Sequence, residues 1–160
     1  MKKLIQVFLI FTVIFTSLKV QAQTEFGVKG GLNFTFFKVT EGDFGTNPDT
    51  EIGYYGGVFV DFKIENGFHF QPELLYKGVG ELEFLNAPLY LKYDINNDFH
   101  ILIGPSLNYF FDIFNNKFKV RADVSLDYDL SSALSIHMKY TLGFEELSPN
   151  ILFLGLGYKL

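Results

Sequence analysis

Strict alternation of apolar and polar side chains limits this chain to a small set of folds. Between Phe118 and Tyr128, every even-numbered residue is apolar, and every odd-numbered residue is polar or charged. Successive side chains of a β-strand point to opposite faces, so this pattern predicts a strand with two unlike faces. The polar face carries both signs of charge. It must therefore lie in water or among paired groups.

The same alternation recurs about eight times along the chain. The predicted strands cover 26–37, 53–63, 68–77, 85–93, 99–111, 118–128, 134–144 and 152–160. Turn signals separate them, such as the tight hairpin signal Glu65-Asn66-Gly67, and the longest connection is the loop 38–51. No segment shows helical periodicity, and no linker marks a second domain. The sequence therefore predicts an all-β fold of eight antiparallel strands in up-and-down order.

The first 22 residues have the composition of a secretory signal peptide. Met1-Lys2-Lys3 is a short basic head, 4–15 is apolar, and Val20-Gln21-Ala22 places small residues at the −3 and −1 positions of a cleavage site. The alternative is an uncleaved membrane anchor, but an apolar run of about twelve residues is shorter than the roughly twenty that a spanning helix needs. We therefore predict a signal peptide at 1–22 and one domain at 23–160.

Charge and cysteine content exclude several classes of protein. Removal of 1–22 takes away three lysines and no acid, so the 13 Lys+Arg and 18 Asp+Glu become 10 and 18, a net charge of −8. An acidic surface of this size argues against a nucleic-acid partner. Because the chain has no Cys, it has no disulfide, no thiolate metal site and no cysteine nucleophile.

The positions of the aromatic residues indicate which face of the sheet points outward. In a secreted soluble β fold the apolar face is the core, whereas in a membrane barrel it faces lipid. Aromatic residues gather at the two ends of the apolar faces: Phe26, Phe62, Phe68, Tyr93, Phe99, Tyr128 and Tyr158 at one end, and Phe36, Tyr54, Tyr76, Tyr109, Phe111, Phe118 and Phe144 at the other. Two aromatic girdles around an aliphatic belt are typical of a β-barrel that spans a bilayer. We therefore predict an eight-stranded transmembrane β-barrel in the cell outer membrane, in contact with lipid and lipopolysaccharide.

Several motifs resemble a known family. They are Gly27-Val28-Lys29-Gly30-Gly31-Leu32-Asn33, Gly56-Gly57-Val58, Phe70-Gln71-Pro72-Glu73-Leu74-Leu75-Tyr76, Pro88-Leu89-Tyr90-Leu91-Lys92-Tyr93, Gly104-Pro105-Ser106 and Gly155-Leu156-Gly157-Tyr158. Their order and spacing resemble the small outer-membrane β-barrels of Gram-negative Bacteroidetes, often called porin-family or PorT-like proteins. The resemblance implies insertion by the barrel-assembly machinery, for which Tyr158-Lys159-Leu160 resembles a signal. It implies no particular activity.

The inward faces of the predicted barrel carry an unusual number of charges. Eight strands enclose an interior just wide enough for side chains to fill, so we expect no open diffusion pore. The predicted lumen charge network has eight cations and four acids: Lys29, Asp61, Lys63, Glu73, Lys77, Lys92, Lys119, Arg121, Asp123, Asp127, Lys139 and Lys159. One interpretation is a structural ion network that plugs the barrel. The other is a basic lumen that holds an anionic ligand.

Metal-binding and catalytic interpretations have weaker support. His69, His100 and His137 all fall on inward faces and would be able to meet at a metal ion, but they lie on alternate strands without local ligand spacing. We interpret them as hydrogen-bonded lumen residues and predict no metal and no cofactor. Ser106 or Ser125 can be combined on paper with a histidine and an aspartate into a triad. Any lumen of this composition permits that choice, so we predict no enzyme and no catalytic residue.

Two classes of function follow from these predictions. The first is a structural or interaction protein, a closed barrel that presents its extracellular loops at 38–51, 78–81, 112–117 and 145–150 to a protein partner. The second is a barrel that binds or transports small solutes or anions through its basic lumen.

Overall fold

A computed structural model of the chain describes residues 24–36, 50–80, 82–111, 117–142 and 150–160. These residues form eight strands: β1 (Thr24–Phe36), β2 (Thr50–Glu65), β3 (Phe68–Val79), β4 (Leu82–Asp94), β5 (Phe99–Phe110), β6 (Phe118–Asp129), β7 (Leu134–Leu142) and β8 (Asn150–Lys159). In this part of the chain, no helix is long and apolar enough to cross a membrane. The predicted signal peptide and most of the loops 38–51, 112–117 and 145–150 lie outside the described residues.

The eight strands close into one antiparallel barrel. Each strand pairs with its neighbours in chain order, and β1 pairs with β8 over a register that runs from Gly27↔Lys159 to Phe36↔Asn150. Closure leaves no strand edge unpaired, which a sheet surrounded by hydrocarbon requires because lipid cannot satisfy backbone groups. The predicted eight-stranded, antiparallel, up-and-down barrel is confirmed.

The connections differ between the two ends of the barrel. At the end that we call the turn side, the strands are joined by 66–67, 95–98 and 130–133. Asn66 and Gly67 have φ angles of 52° and 79°, and two residues with positive φ make the hairpin turn that the sequence predicts. The opposite end, the loop side, carries three longer connections, 37–49, 111–117 and 143–149. It also carries one short connection, 80–81, because β3 continues to Val79 and takes up half of the predicted loop 78–81. Outer-membrane barrels direct short turns to the periplasm and long loops outward, which orients the two sides.

The apolar face of every strand points away from the barrel axis. Val58, Leu91 and Ile103, near the middle of their strands, are each more than half exposed. The aromatic residues at the strand ends are exposed as well, including Phe118 and Tyr158. A water-soluble protein would bury such a surface, so the exterior fits a hydrocarbon solvent. The alternative of a soluble fold with an apolar interior is wrong for these strands.

Glycines give the inner wall of β8, β1 and β2 an open surface. Gly31 of β1 stands in register between Tyr55 of β2 and Gly155 of β8. The Tyr55 ring lies across this row, because a Cβ atom at Gly155 would collide with the Tyr55 hydroxyl. The hydroxyl reaches His137 on β7, two strands beyond β1. Glycine is therefore required where a side chain from one strand crosses its neighbours.

Candidate functional site

Side chains of mixed character fill the lumen. The largest of those with under 2% exposure are Tyr90, Lys77, Phe153, Leu75, Leu102 and Gln71. From the turn side to the loop side, the lumen contains a belt of ion pairs, a central ion cluster, a buried aspartate and an aromatic cluster.

A continuous series of ion pairs begins on β4 at the turn side. Lys92 Nζ lies 2.7 Å from one carboxylate oxygen of Asp61, and the other oxygen lies 2.6 Å from His69 Nδ1. His69 Nε2 lies 3.0 Å from Asp94, whose second oxygen lies 2.6 Å from His100 Nδ1. Each aspartate thus connects two basic side chains from different strands.

The series continues around the barrel to its closing strands. His100 Nε2 lies 3.4 Å from Asp129, an ion-pair distance without hydrogen-bond geometry. Lys159 Nζ lies 2.8 Å from Asp129 and 3.6 Å from Glu25. Basic and acidic residues alternate along the whole series, which we call the rim belt: Lys92, Asp61, His69, Asp94, His100, Asp129, Lys159 and Glu25. It joins every strand except β7.

His69 holds a particular position in the rim belt because both of its ring nitrogens face carboxylate oxygens. A carboxylate accepts hydrogen bonds, and a neutral imidazole carries only one N–H. Donation from both nitrogens therefore requires the imidazolium cation. This charge-assisted arrangement fixes the ring between β2 and β4.

Lys29 forms the centre of the second layer. Its Nζ lies 2.8 Å from both Glu73 and Asp127, and the ammonium and both carboxylates are almost completely buried. Gln71 donates a hydrogen bond to Glu73, and Ser125 donates one to Asp127. The three charged residues come from β1, β3 and β6, so the cluster connects opposite walls of the barrel.

Asp123, which has no exposed surface, collects donors from three further strands. Ser106 and Thr141 donate to one carboxylate oxygen at 2.9 and 2.8 Å, and Tyr90 donates to the other at 3.0 Å. Lys139 Nζ lies 3.7 Å away. The carboxylate is thus fully coordinated by the protein's own groups.

An aromatic cluster closes the loop side of the lumen. It consists of Tyr55, Leu75, Phe84, Phe110, Ile151 and Phe153. The ammonium of the buried Lys77 lies 4.0 Å from the ring centroid of Phe153, and that of Lys139 lies 4.6 Å from it. Among the described residues, no carboxylate lies within ion-pair distance of Lys77. Aromatic faces therefore provide the principal contact for this amino group.

The structure places the twelve residues of the predicted network in three environments. Lys29, Asp61, Glu73, Lys77, Lys92, Arg121, Asp123, Asp127 and Lys139 are buried in the lumen. Lys119 and Lys159 are partly buried. Lys63 is exposed at the turn side and takes part in none of the ion pairs between described residues. Asp94 and Asp129 also point into the lumen, although the sequence pattern places them in the turns 94–98 and 129–133. Glu25, which lies just before the first predicted strand, joins the rim belt from an exposed position.

The aromatic cluster was also missing from the sequence prediction. Adjacent aromatic residues such as Tyr54-Tyr55 and Phe110-Phe111 were the available signal. Neighbouring side chains of a strand face opposite ways, so one member of each pair has to point inward.

The three histidines do not converge. His69 and His100 share Asp94 in the rim belt, whereas His137 meets the Tyr55 hydroxyl deeper in the lumen. Among the described residues, no group of three or more His, Cys, Asp or Glu side chains is arranged to hold a metal ion. The hydroxyls of Ser106 and Ser125 donate to aspartates, and within the described chain neither contacts a histidine. The geometry of a catalytic triad is therefore not formed by these groups.

Comparison with known proteins finds a family model that matches part of the chain. Residues 21–80 match the profile of the outer membrane protein beta-barrel domain. That segment includes β1, β2 and β3. Together with the apolar exterior, the match confirms the cell outer membrane as the location. Comparison with curated proteins finds no match.

Solved structures share the fold at low sequence identity. Ail, the attachment invasion locus protein of Yersinia pestis, was determined in complex with the heparin analogue sucrose octasulfate. It superimposes with a TM-score of 0.57 at 14% identity, covering 86% of this chain and 99% of Ail. A de novo designed transmembrane β-barrel gives a TM-score of 0.55 at 16% identity, covering 87% of this chain and 95% of the design. Identities this low establish the fold and leave the function to be argued from the site.

Proposed function

We propose that this outer-membrane barrel has a closed, charge-plugged lumen and acts as a structural or interaction protein through its extracellular loops. The central Lys29 cluster is the observation that carries the proposal. Its two ion pairs cross the lumen and are themselves sealed by neighbouring side chains. A passing solute would have to separate a buried ammonium from two buried carboxylates, which is strongly unfavourable.

The loop side is the surface proposed to meet a partner. Of the extracellular loops at 38–51, 78–81, 112–117 and 145–150, all but 78–81 lie mostly outside the described residues. Loop 38–51 contains four acids and one lysine, and 145–150 contains two acids and no base. A protein partner with a basic surface fits this composition. Lipopolysaccharide and outer-membrane lipid surround the barrel, and the barrel-assembly machinery is its proposed partner during insertion.

The same proposal includes three more specific assignments: the family type, the signal peptide and a role without catalysis. The six sequence motifs support a PorT-like, porin-family barrel of the Bacteroidetes type. The basic head and apolar run support a signal peptide at 1–22 that is cleaved before the barrel of 23–160 inserts. Hydrogen bonds that occupy both candidate serines support a role without catalysis.

Lys77 favours a second candidate, a lumen that binds or transports small anions. Its buried ammonium meets aromatic rings and lies near the cation Lys139. Low-dielectric surroundings with an excess of positive charge attract anions. An anion reaching this position from the loop side would have to displace part of the aromatic cluster.

Single-channel recording in planar bilayers distinguishes the two candidates. A closed trace for the purified barrel supports the first, and stable anion-selective current steps would overturn it. Photo-crosslinking in intact cells then tests the interaction role. A variant with a shortened loop 38–51 should lose the captured partner, whereas a variant altered in the turn 95–98 is the matched control and should retain it. Failure of every loop variant to change the captured proteins would contradict a role for the loops.

A further inference from the structure

One tripeptide pattern recurs at the turn end of every even-numbered strand. An aromatic residue is followed by a charged residue and then by a large aliphatic residue: Phe62-Lys63-Ile64, Tyr93-Asp94-Ile95, Tyr128-Asp129-Leu130 and Tyr158-Lys159-Leu160. We call these segments the rim tripeptides. All four strands run toward the turn side, so the four segments lie around the same rim.

The tyrosines and the aliphatic residues of the rim tripeptides are about as exposed as the lipid-facing side chains of the strands. Tyr93, Tyr128 and Tyr158 are 42%, 45% and 50% exposed and belong to the turn-side aromatic girdle. The aliphatic residues two positions later are exposed to a similar or greater degree: Ile64 58%, Ile95 52%, Leu130 54% and Leu160 82%. The apolar exterior therefore continues past the aromatic girdle at four places.

Apart from these aliphatic residues, the described connections on the turn side contain only small or polar residues. The other described connecting residues there are Asn66, Gly67, Asn96, Asn97, Asp98, Ser131, Ser132 and Ala133. The large aliphatic residues are thus absent from the tips of the turns and present where the strands end. A strand rises about 3.4 Å per residue and tilts by roughly 40°, so two residues extend the apolar surface by about 5 Å along the membrane normal.

We propose that Ile64, Ile95, Leu130 and Leu160 form a lipid anchor that inserts among the acyl chains of the periplasmic leaflet. The argument is continuity, since Leu91 and Tyr93 on the outer face of β4 are followed by Ile95 at the start of its turn, with exposures of 52%, 42% and 52%. On the inner face of the same rim, Asp94, Asp129 and Lys159 are held in the rim belt. Each of these three rim tripeptides joins an outward apolar pair to an inward charge that anchors the strand end from inside.

Single-tryptophan variants test the proposal without background, because the chain contains no Trp. Leu91→Trp, Tyr93→Trp, Ile95→Trp and Asn97→Trp form a depth series on β4 and its turn. Each barrel is reconstituted in phosphatidylcholine vesicles and titrated with phosphatidylcholine brominated on its acyl chains, and separately with iodide. We expect the brominated lipid to remove as much fluorescence at position 95 as at 91, and iodide to quench strongly only at 97.

The opposite pattern, with position 95 quenched by iodide as strongly as position 97, would place this rim in water and overturn the anchor. Protection of position 95 from both quenchers would show that protein covers it and would overturn the choice of lipid. Circular dichroism verifies that each variant is folded. Should Ile95→Trp not fold, Leu130→Trp and Leu160→Trp test the same anchor at independent strand ends.

Discussion

The ammonium of Lys29 and the carboxylate of Asp127 lie 2.8 Å apart, although their strands, β1 and β6, share no backbone hydrogen bond. The pair is buried, and Glu73 from a third strand approaches the same ammonium. The cluster therefore depends on the closed barrel, because no hairpin contains all three of its members.

Replacement of Lys29 should destabilise the barrel strongly. Lys29→Met leaves two buried carboxylates without their cation, and breaking a buried pair in this way costs about 3–5 kcal/mol. Guanidinium unfolding of the barrel in lipid vesicles measures the loss. Lys63→Met, at an exposed lysine outside the ion pairs, should change the free energy of unfolding by less than about 0.5 kcal/mol. Equal effects of the two variants would show that the Lys29 cluster contributes nothing to stability.

Replacement of Lys77 should stabilise the barrel, in contrast to replacement of Lys29. Its ammonium is buried against aromatic rings without a carboxylate partner in the described chain, so Lys77→Met removes a desolvation penalty while keeping much of the volume. We expect stabilisation of roughly 1–2 kcal/mol, within the range seen when apolar residues replace buried charges. Lys92→Met is the matched comparison and should be destabilising, because the buried Asp61 would lose one of its two basic partners. A strong loss of stability in Lys77→Met would indicate a bound anion that needs this lysine, which dialysis against phosphate-free and chloride-free buffer would reveal in the wild-type barrel.

Substitution of a glycine on the inner wall should lower the stability of the barrel much more than substitution of a glycine on the outer face. Gly155→Ala places a Cβ atom against the Tyr55 hydroxyl and the Gly30 backbone, and such overpacking costs about 1–3 kcal/mol. Gly56→Ala meets only one backbone oxygen, at 3.9 Å, and should be neutral or stabilising by up to about 1 kcal/mol. Thermal unfolding of the two variants checks the difference. Similar melting temperatures would contradict the position of the Tyr55 ring.

Stability should fall as the pH rises above neutrality because of His69. The folded rim belt holds this side chain as an imidazolium, so the native state binds a proton that the unfolded chain releases at high pH, and the free energy of unfolding decreases with pH. Unfolding measured between pH 6 and pH 9 should show the decrease in the wild type, by about 1.4 kcal/mol for each unit by which the pKa of His69 differs between the folded and unfolded states. His69→Gln should have a flatter profile over that interval. An unchanged slope would mean that His69 is neutral in the barrel.

Much of the fold was predictable because alternation is a local property. Phe118–Tyr128 alone indicates one apolar and one polar face, and the aromatic residues at strand ends distinguish lipid from a soluble core. Burial of Lys29, Asp123 and Lys139 follows from the same period of two. Whether a side chain points into the lumen or toward lipid can be predicted from whether its position along the strand is odd or even.

The contacts inside the lumen were not predictable from that pattern. Lys29 finds its partners across the barrel, and such pairing depends on strand tilt and register, which parity does not specify. Asp94 and Asp129 were assigned to turns because they precede turn residues, yet both side chains point inward into the rim belt. The contact of Tyr55 across the lumen was not predictable, because the glycines that make room for its ring lie on other strands, distant in sequence.

The crossing of Tyr55 over Gly31 to His137 also determines when this contact can exist. The two residues lie on opposite sides of the seam where β1 meets β8, and they are 82 positions apart in sequence. No partly assembled sheet brings them together, since β8 must first pair with β1. The Tyr55–His137 hydrogen bond therefore reports on closure of the barrel. Its formation indicates that β1 and β8 have paired and that the sheet has no unpaired edge left.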